Sequence, residues 1–268
     1  MTRNRPFTIT VLTLGLVFLA APLVFVVINS FNDSSYGAWP PPGFGLRWYR
    51  RLFEQDGLLP AALASLWIAA LAAAIALAVG TAAAVSLTRF RYPGRGLVDA
   101  LLMAPLIVPK VAIGLGAFIL ILKAGGYGQM FPLVGLHVIL LIPFAINIIG
   151  GALVRIPRVY EQAARDLGAG PVRAFVLATL PQLRTSLGAA FALCFMISFD
   201  EVDATVFVVA PNQDTLPVWM YQYMQQYQDP TVAALSTILI ALSTLLVVVL
   251  VSRARTTIVA GLGGGAAR

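Results

Sequence analysis

Long apolar stretches constrain this chain before anything else does. Phe7–Ile28, Ala61–Leu87, Leu97–Leu122, Phe131–Val154, Ser186–Ala210 and a last stretch from Pro230 to Val251 each approach or exceed the length that a bilayer-spanning helix needs, roughly 20 residues. Inside hydrocarbon every backbone N–H and C=O must be satisfied within the segment, so such runs can only be helices here. The whole chain is 59% apolar and 11% charged, where soluble proteins hold about 45–50% and about 25%. The expected fold class is therefore an all-α polytopic membrane protein with six transmembrane helices.

The basic residues give the orientation. Arg3 and Arg5, then Arg89, Arg91 and Arg95, then Arg155, Arg158, Arg165, Arg173 and Arg184, and finally Arg253, Arg255 and Arg268 fall on one side of a six-span thread. Arg47, Arg50, Arg51 and Lys123 fall on the other, and Lys110 lies within a span. Thirteen against four, read with the positive-inside bias, places both termini in the cytoplasm. The formal charge of +7 raises nucleic acid as a partner. The charges sit in short clusters between apolar runs instead of on one face, so membrane lipid is expected and nucleic acid is not. Cys194 and His137 stand alone, which removes disulfides and Cys- or His-cluster metal sites.

Along the chain, Phe7–Ile28 follows Arg3 and Arg5, and Ala20 and Ala21 suit the end of a secretory signal. The run exceeds the usual 7–15-residue signal core, so an uncleaved first span is expected. Asn29–Leu59 is an outer loop stiffened by Pro40-Pro41-Pro42-Gly43, with Trp39, Trp48 and Tyr49 suited to the membrane interface. The second span carries Ala64, Ser65, Ala69, Ala72, Ala73, Ala76 and Gly80, a stripe for close helix packing. The third is interrupted by Pro105, Pro109, Gly114 and Gly116, with Lys110 in its middle. The fourth contains Pro143 and Asn147. Asp214–Tyr227 reads as an interfacial helix, and Asp229-Pro230 as the cap and first turn of the last span.

Between the fourth and fifth spans lies a polar stretch, Glu161–Pro181, which reads as helix, glycine, helix. Gly168 breaks the first arm and Pro171 starts a second short one. Arg165, Arg173 and Arg184 keep the stretch in water. Its spelling is Gln162-Ala163-Ala164, three residues, Gly168, nine residues, Ala178, one residue, Leu180-Pro181. This resembles the cytoplasmic loop of binding-protein-dependent ABC importer permeases, which reads Glu-Ala-Ala, Gly, Ile and Leu-Pro at that spacing. Gln162 and Ala178 depart from the pattern. Glu161 stands next to the missing acid, but one residue turns it about 100° around a helix. The run Ser198-Phe199-Asp200-Glu201, followed by Thr215-Leu216-Pro217, resembles the spermidine/putrescine branch of that family.

The resemblance implies a type I ABC importer permease-like fold in a bacterial inner membrane. It divides the chain into an N-terminal transmembrane helix over 1–30, a periplasmic loop over 31–60, a core permease domain over 61–252 and a disordered cytoplasmic tail over 253–268. The core would hold five transmembrane helices and a cytoplasmic coupling loop over 155–184. Glu161, Gln162, Ala163, Ala164, Asp166, Gly168, Leu180 and Pro181 would form the part of that loop that docks on an ATPase. Implied partners are ABC ATPase subunits, a second permease subunit that is either a homologue or a second copy, and a periplasmic substrate-binding protein. No Gly-x4-Gly-Lys-Ser/Thr occurs in the chain, so ATP and Mg are expected on the partner ATPase and no cofactor on this chain. The implied function is permeation of a small cationic or zwitterionic solute, such as putrescine or spermidine, with no covalent chemistry of its own.

Asp200, Glu201 and Asp203 fall in the expected fifth span, where each carboxylate is expensive. Two readings stand. Asp200 and Asp203, sharing a helix face with Met196 and Phe207, could line a path for cations, with Glu201 pointing elsewhere. Alternatively the acids lie in interfacial water or neutralise a base, and Lys110 is within reach of Asp200 if the third and fifth spans are neighbours. A proton-coupled secondary transporter or channel would also use intramembrane acids, but the inverted repeats common in such folds are absent. A membrane enzyme would need a nucleophile–base pair or a metal-ligand set, and neither is present.

Overall fold

The computed structural model describes residues 5–211, 213–245 and 248. Helices follow one another as α1 (Arg5–Ser30), α2 (Arg47–Phe53), α3 (Leu58–Arg89), α4 (Arg95–Met103), α5 (Lys110–Lys123), α6 (Met130–Arg155), α7 (Val159–Asp166), α8 (Pro171–Ala174), α9 (Leu180–Phe199), α10 (Thr205–Val208) and α11 (Leu216–Gln226). A further apolar helix, α12, covers Thr231–Leu245. Among the described residues there is no strand, and one isolated bridge joins Asn32 to Phe44. Among the described residues, four helical stretches are long and apolar enough to cross a membrane: Phe7–Ser30, Leu58–Arg89, Met130–Arg155 and Pro171–Phe199. A fifth arises if the bent pair Arg95–Leu106 and Lys110–Lys123 counts as one span. The end of the expected sixth span, the tail over 253–268, and Arg3 lie outside the described residues.

The chain forms two compact units, one of residues 57–221 and one of 1–56 with 222–268. In the first, α3, α6 and α9 pack on one another. All seven small residues expected to line α3, from Ala64 to Gly80, are buried. The water-driven hydrophobic effect is missing between helices in lipid, so close van der Waals contact must hold them, and small side chains allow it. Gly80 is the tightest point, because a Cβ there would lie 2.5 Å from Cβ of Ala145 on α6. Ile68, Ala72 and Ala76 of α3 meet Leu133, Leu140 and Leu141 of α6 and Cys194 of α9 in one apolar cluster.

The third expected span, Leu97–Leu122, is interrupted near its prolines: α4 ends in a 3-10 turn at Ala104–Leu106, and α5 leaves at 102° to it. Pro109 explains the break, since it lacks an N–H and pushes the residue before it out of the α region. Lys110 is consequently the first residue of α5 and not in the interior of a helix. The fifth helix also begins and ends earlier than Ser186–Ala210. It runs from Pro171 through a π turn at Phe175–Thr179 and stops at Phe199. Pro181 offers no N–H to the turn before it and its ring crowds the carbonyl four residues back, which a widened turn relieves. The second arm of the Gly168 elbow is thus the start of a spanning helix and not a separate short one.

In the other unit, the segment after α1 is an ordered structure around α2. Trp48 is buried within the chain, and its Nε1 donates to the carbonyl of Asn32 at 2.6 Å. The Tyr49 hydroxyl lies 2.8 Å from Ser30 Oγ at the end of α1. Asp229 caps α12 as its sequence suggests, accepting the Thr231 N–H at 3.0 Å, and it also pairs with Arg51 at 3.4 Å.

Candidate functional site

Two polar places stand out in the unit of residues 57–221. The first is the elbow. α7 ends in a glycine motif: the Gly168 N–H donates to Arg165 O at 2.9 Å, and the Ala169 N–H to Ala164 O at 3.0 Å. These bonds satisfy carbonyls that the helix end would leave open, and they require a left-handed residue between them. Gly168 supplies it at φ +89°, and a Cβ there would meet nothing within 4 Å. Gln162, Ala163, Asp166, Gly168 and Pro181 are exposed, while Ala164 and Leu180 are partly buried. Leu167, just before the glycine, is 90% exposed, and Tyr160 and Val172 are also exposed. The sequence motif does not include Leu167. A large apolar residue just before the glycine of a polar helix is the signal that marks it.

Glu161 faces inward, unlike its neighbour Gln162. Its Oε1 accepts the Thr179 hydroxyl at 2.6 Å and lies 3.4 Å from Arg89 Nη2 at the end of α3. Arg89 also donates to Ile156 O at 3.1 Å, and Arg158 donates to the carbonyls of Thr88 and Arg89 at 3.1 and 2.7 Å. Positive guanidinium at a helix C-terminus is favoured by the dipole. These bonds fasten both arms of the elbow to the end of α3. Beside them opens a cavity of about 700 Å³, lined by α3 from Ala78 to Arg89 and by Glu161, Arg165 and Phe175. Arg89 and Thr179 are absent from the motif reading, because nothing in the spacing links residues so far apart to Glu161.

The second place is the acidic turn after α9. Asp200 and Asp203 do not share a helix face as expected, since the helix ends at Phe199 and α10 begins at Thr205. Asp200 and Asp203 are exposed. Glu201 is 2% exposed and spends both oxygens: Oε1 accepts the Ala204 N–H at 2.9 Å, and Oε2 takes Lys110 Nζ at 2.6 Å. Lys110 also approaches Asp203 Oδ2 at 4.0 Å. The partner of Lys110 is therefore Glu201, with Asp203 second, and not Asp200. Lys110 opens α5, at the positive end of the helix dipole, where a cation is disfavoured and a carboxylate offsets it.

Packing brings these groups together. α10 sits on α5, and a Cβ on Gly114 would lie 2.6 Å from the Ala204 carbonyl oxygen. His137 of α6 is buried behind the turn, with Nδ1 2.7 Å from Ser198 Oγ and Nε2 3.0 Å from Thr205 Oγ1. That imidazole bridges the end of α9 and the start of α10, so it braces the turn between them. Among the described residues, no group of three or more His, Cys, Asp or Glu side chains could hold a metal ion.

Comparison with known proteins fits this arrangement. Residues 74–261 match the family described as binding-protein-dependent transport system inner membrane component. The chain is 34% identical over 245 residues to the putrescine transport system permease protein PotI of Escherichia coli (strain K12), covering 88% of this chain and 86% of that protein. It is 31% identical over 232 residues to the spermidine/putrescine transport system permease protein PotC of the same organism, covering 86% and 87%. In structure it is similar to a chain of a bacterial ABC transporter involved in the import of the acidic polysaccharide alginate. There the TM-score is 0.70 at 15% identity, over 94% of this chain and 98% of that one. That likeness carries the fold alone.

Proposed function

This chain belongs to the family of binding-protein-dependent transport system inner membrane components, and from that premise we propose that it is the permease subunit of a polyamine importer. The observation that carries the substrate class is the identity of 34% and 31% to permease proteins named for putrescine and spermidine, over 88% and 86% of the chain. The exposed carboxylates of Asp200 and Asp203 agree with it. A carboxylate facing lipid would cost roughly 2.5–3.5 kcal/mol on insertion scales, so such groups belong against water or protein. In this reading they line the translocation path and favour a primary ammonium group.

The protein sits in a bacterial inner membrane with six spans and both ends in the cytoplasm. It pairs with a second, homologous permease subunit, and a periplasmic binding protein delivers the substrate. ATP and Mg are held by separate ATPase subunits. These dock on the exposed face of the elbow, around Gln162, Ala163, Leu167 and Gly168, whose small residues allow close approach. ATPase closure then moves α9 directly, because the second arm of the elbow is continuous with that helix.

Uptake of labelled putrescine and spermidine by the complex reconstituted with its ATPase and binding protein tests the substrate. No ATP-dependent polyamine uptake would refute it. Asp200→Asn with Asp203→Asn is expected to keep membrane abundance and ATPase association while polyamine uptake falls at least about tenfold, the equivalent of about 1.4 kcal/mol. Full uptake by that variant would remove the acids from the path. For orientation, Ala169→Cys in intact cells is expected to react only with membrane-permeant thiol reagents; labelling by an impermeant one would overturn the topology.

A further inference from the structure

We propose that Lys110 is a tethered stand-in for the transported cation: its ammonium occupies an alkylammonium site formed by Glu201 and Asp203, and an entering organic ammonium displaces it. This rests on the reading of the acidic turn as part of a path for organic cations.

A lysine side chain is a primary ammonium on a flexible four-carbon stem, which is also the chemistry of one end of a short diamine. Its Nζ lies 2.6 Å from Glu201 Oε2 and 4.0 Å from Asp203 Oδ2. The two carboxylates differ in freedom. Glu201 is held by the Ala204 N–H and is 2% exposed, whereas the side chain of Asp203 is 58% exposed. The Lys110 side chain is 42% exposed. The cation is thus the mobile partner, approached from the open side, and the buried carboxylate is the fixed one.

Exchange suits this geometry better than vacancy. Stripping a buried carboxylate of its counter-charge is strongly unfavourable, so Lys110 leaves only as another cation arrives. The displacement needs no backbone rearrangement, because α5 is held by its own contact of Gly114 with Ala204. The helix dipole also does not hold the lysine in place, since an ammonium at a helix N-terminus is disfavoured. After the ligand moves on, the tether returns the lysine and closes the pair again. Three carboxylates stand in this turn against one ammonium. With Lys110 swung away, the turn has charge to spare for a ligand bearing two ammonium groups.

The test uses the purified full complex and n-butylammonium, the free counterpart of the lysine side chain, with n-butanol as the neutral control. The readout is the thermal midpoint against ligand concentration. Lys110→Ala is expected to gain a saturable upward shift with butylammonium and none with butanol. Half-saturation in wild type should lie higher by about the effective concentration of the tethered competitor, which is in about the millimolar range. Adding Glu201→Gln to Lys110→Ala should abolish the response. Lys110→Arg, which keeps the charge but grips a carboxylate with two bonds, should move half-saturation above that of wild type without lowering the ligand-free midpoint. That last variant decides the matter if Lys110→Ala does not assemble. A Lys110→Ala complex that assembles yet ignores butylammonium, or a Lys110→Arg response equal to wild type, would reduce Lys110 to a fixed brace. Butylammonium binding does not depend on transport, so its outcome is separate from whether the complex imports polyamines.

Discussion

Replacing Gly168 separates two reasons why the elbow needs a glycine. The residue sits at φ +89°, and an added Cβ would touch nothing within 4 Å of this chain. The penalty for alanine is then one of backbone conformation, about 1–2 kcal/mol for a left-handed non-glycine residue. At that size the fraction of chains holding the elbow, against those with a relaxed turn, falls roughly 5–30-fold. Asparagine is larger than alanine but tolerates the left-handed region, so it should recover much of the loss. Valine, branched at Cβ, should be the worst. The expected order of ATPase association and substrate-stimulated ATP hydrolysis is Gly, then Asn, then Ala, then Val, at equal membrane abundance. Titrating the ATPase subunit against each variant in nanodiscs gives the order directly. If Ala binds better than Asn, space at the docked surface governs the position, and the conformational argument is refuted.

Two further substitutions probe the contacts that hold the polar places. Glu161→Ala leaves the buried Thr179 hydroxyl without its acceptor and Arg89, whose side chain is 10% exposed, without its carboxylate. A loss of about 1–3 kcal/mol is expected, with Glu161→Gln milder because it still accepts from Thr179. Faster tryptic cleavage at Arg158 and Arg165 checks it, and unchanged cleavage would show that the elbow is held elsewhere. Gly114→Ala drives a Cβ to 2.6 Å from the Ala204 carbonyl oxygen and 2.7 Å from its Cα, both backbone atoms that cannot swing aside. The expected result is a loss of about 1–3 kcal/mol and a lowered melting midpoint, and a variant as stable as wild type would refute that packing.

Much of this molecule is legible in its sequence because the relevant physics is local. An apolar run in lipid must be helix, and the small residues from Ala64 to Gly80 repeat at helical spacing, so their shared buried face follows from the period. Gly168 as a left-handed helix end and Asp229 as a cap depend on neighbours within a few residues. Tertiary structure alone decided the rest. Lys110 and Glu201 are 91 residues apart and Glu161 and Arg89 are 72, and no spacing rule reaches that far. The expected reach of Lys110 to Asp200 depended on how the third and fifth spans lie, and the 102° break at Pro109 removes the helical phase from which that could be counted. Likewise Asp200 and Asp203 share a face only if the helix continues, and it ends at Phe199. Which carboxylate meets the lysine was set by the close approach of Gly114 to Ala204, which only the packed helices bring about.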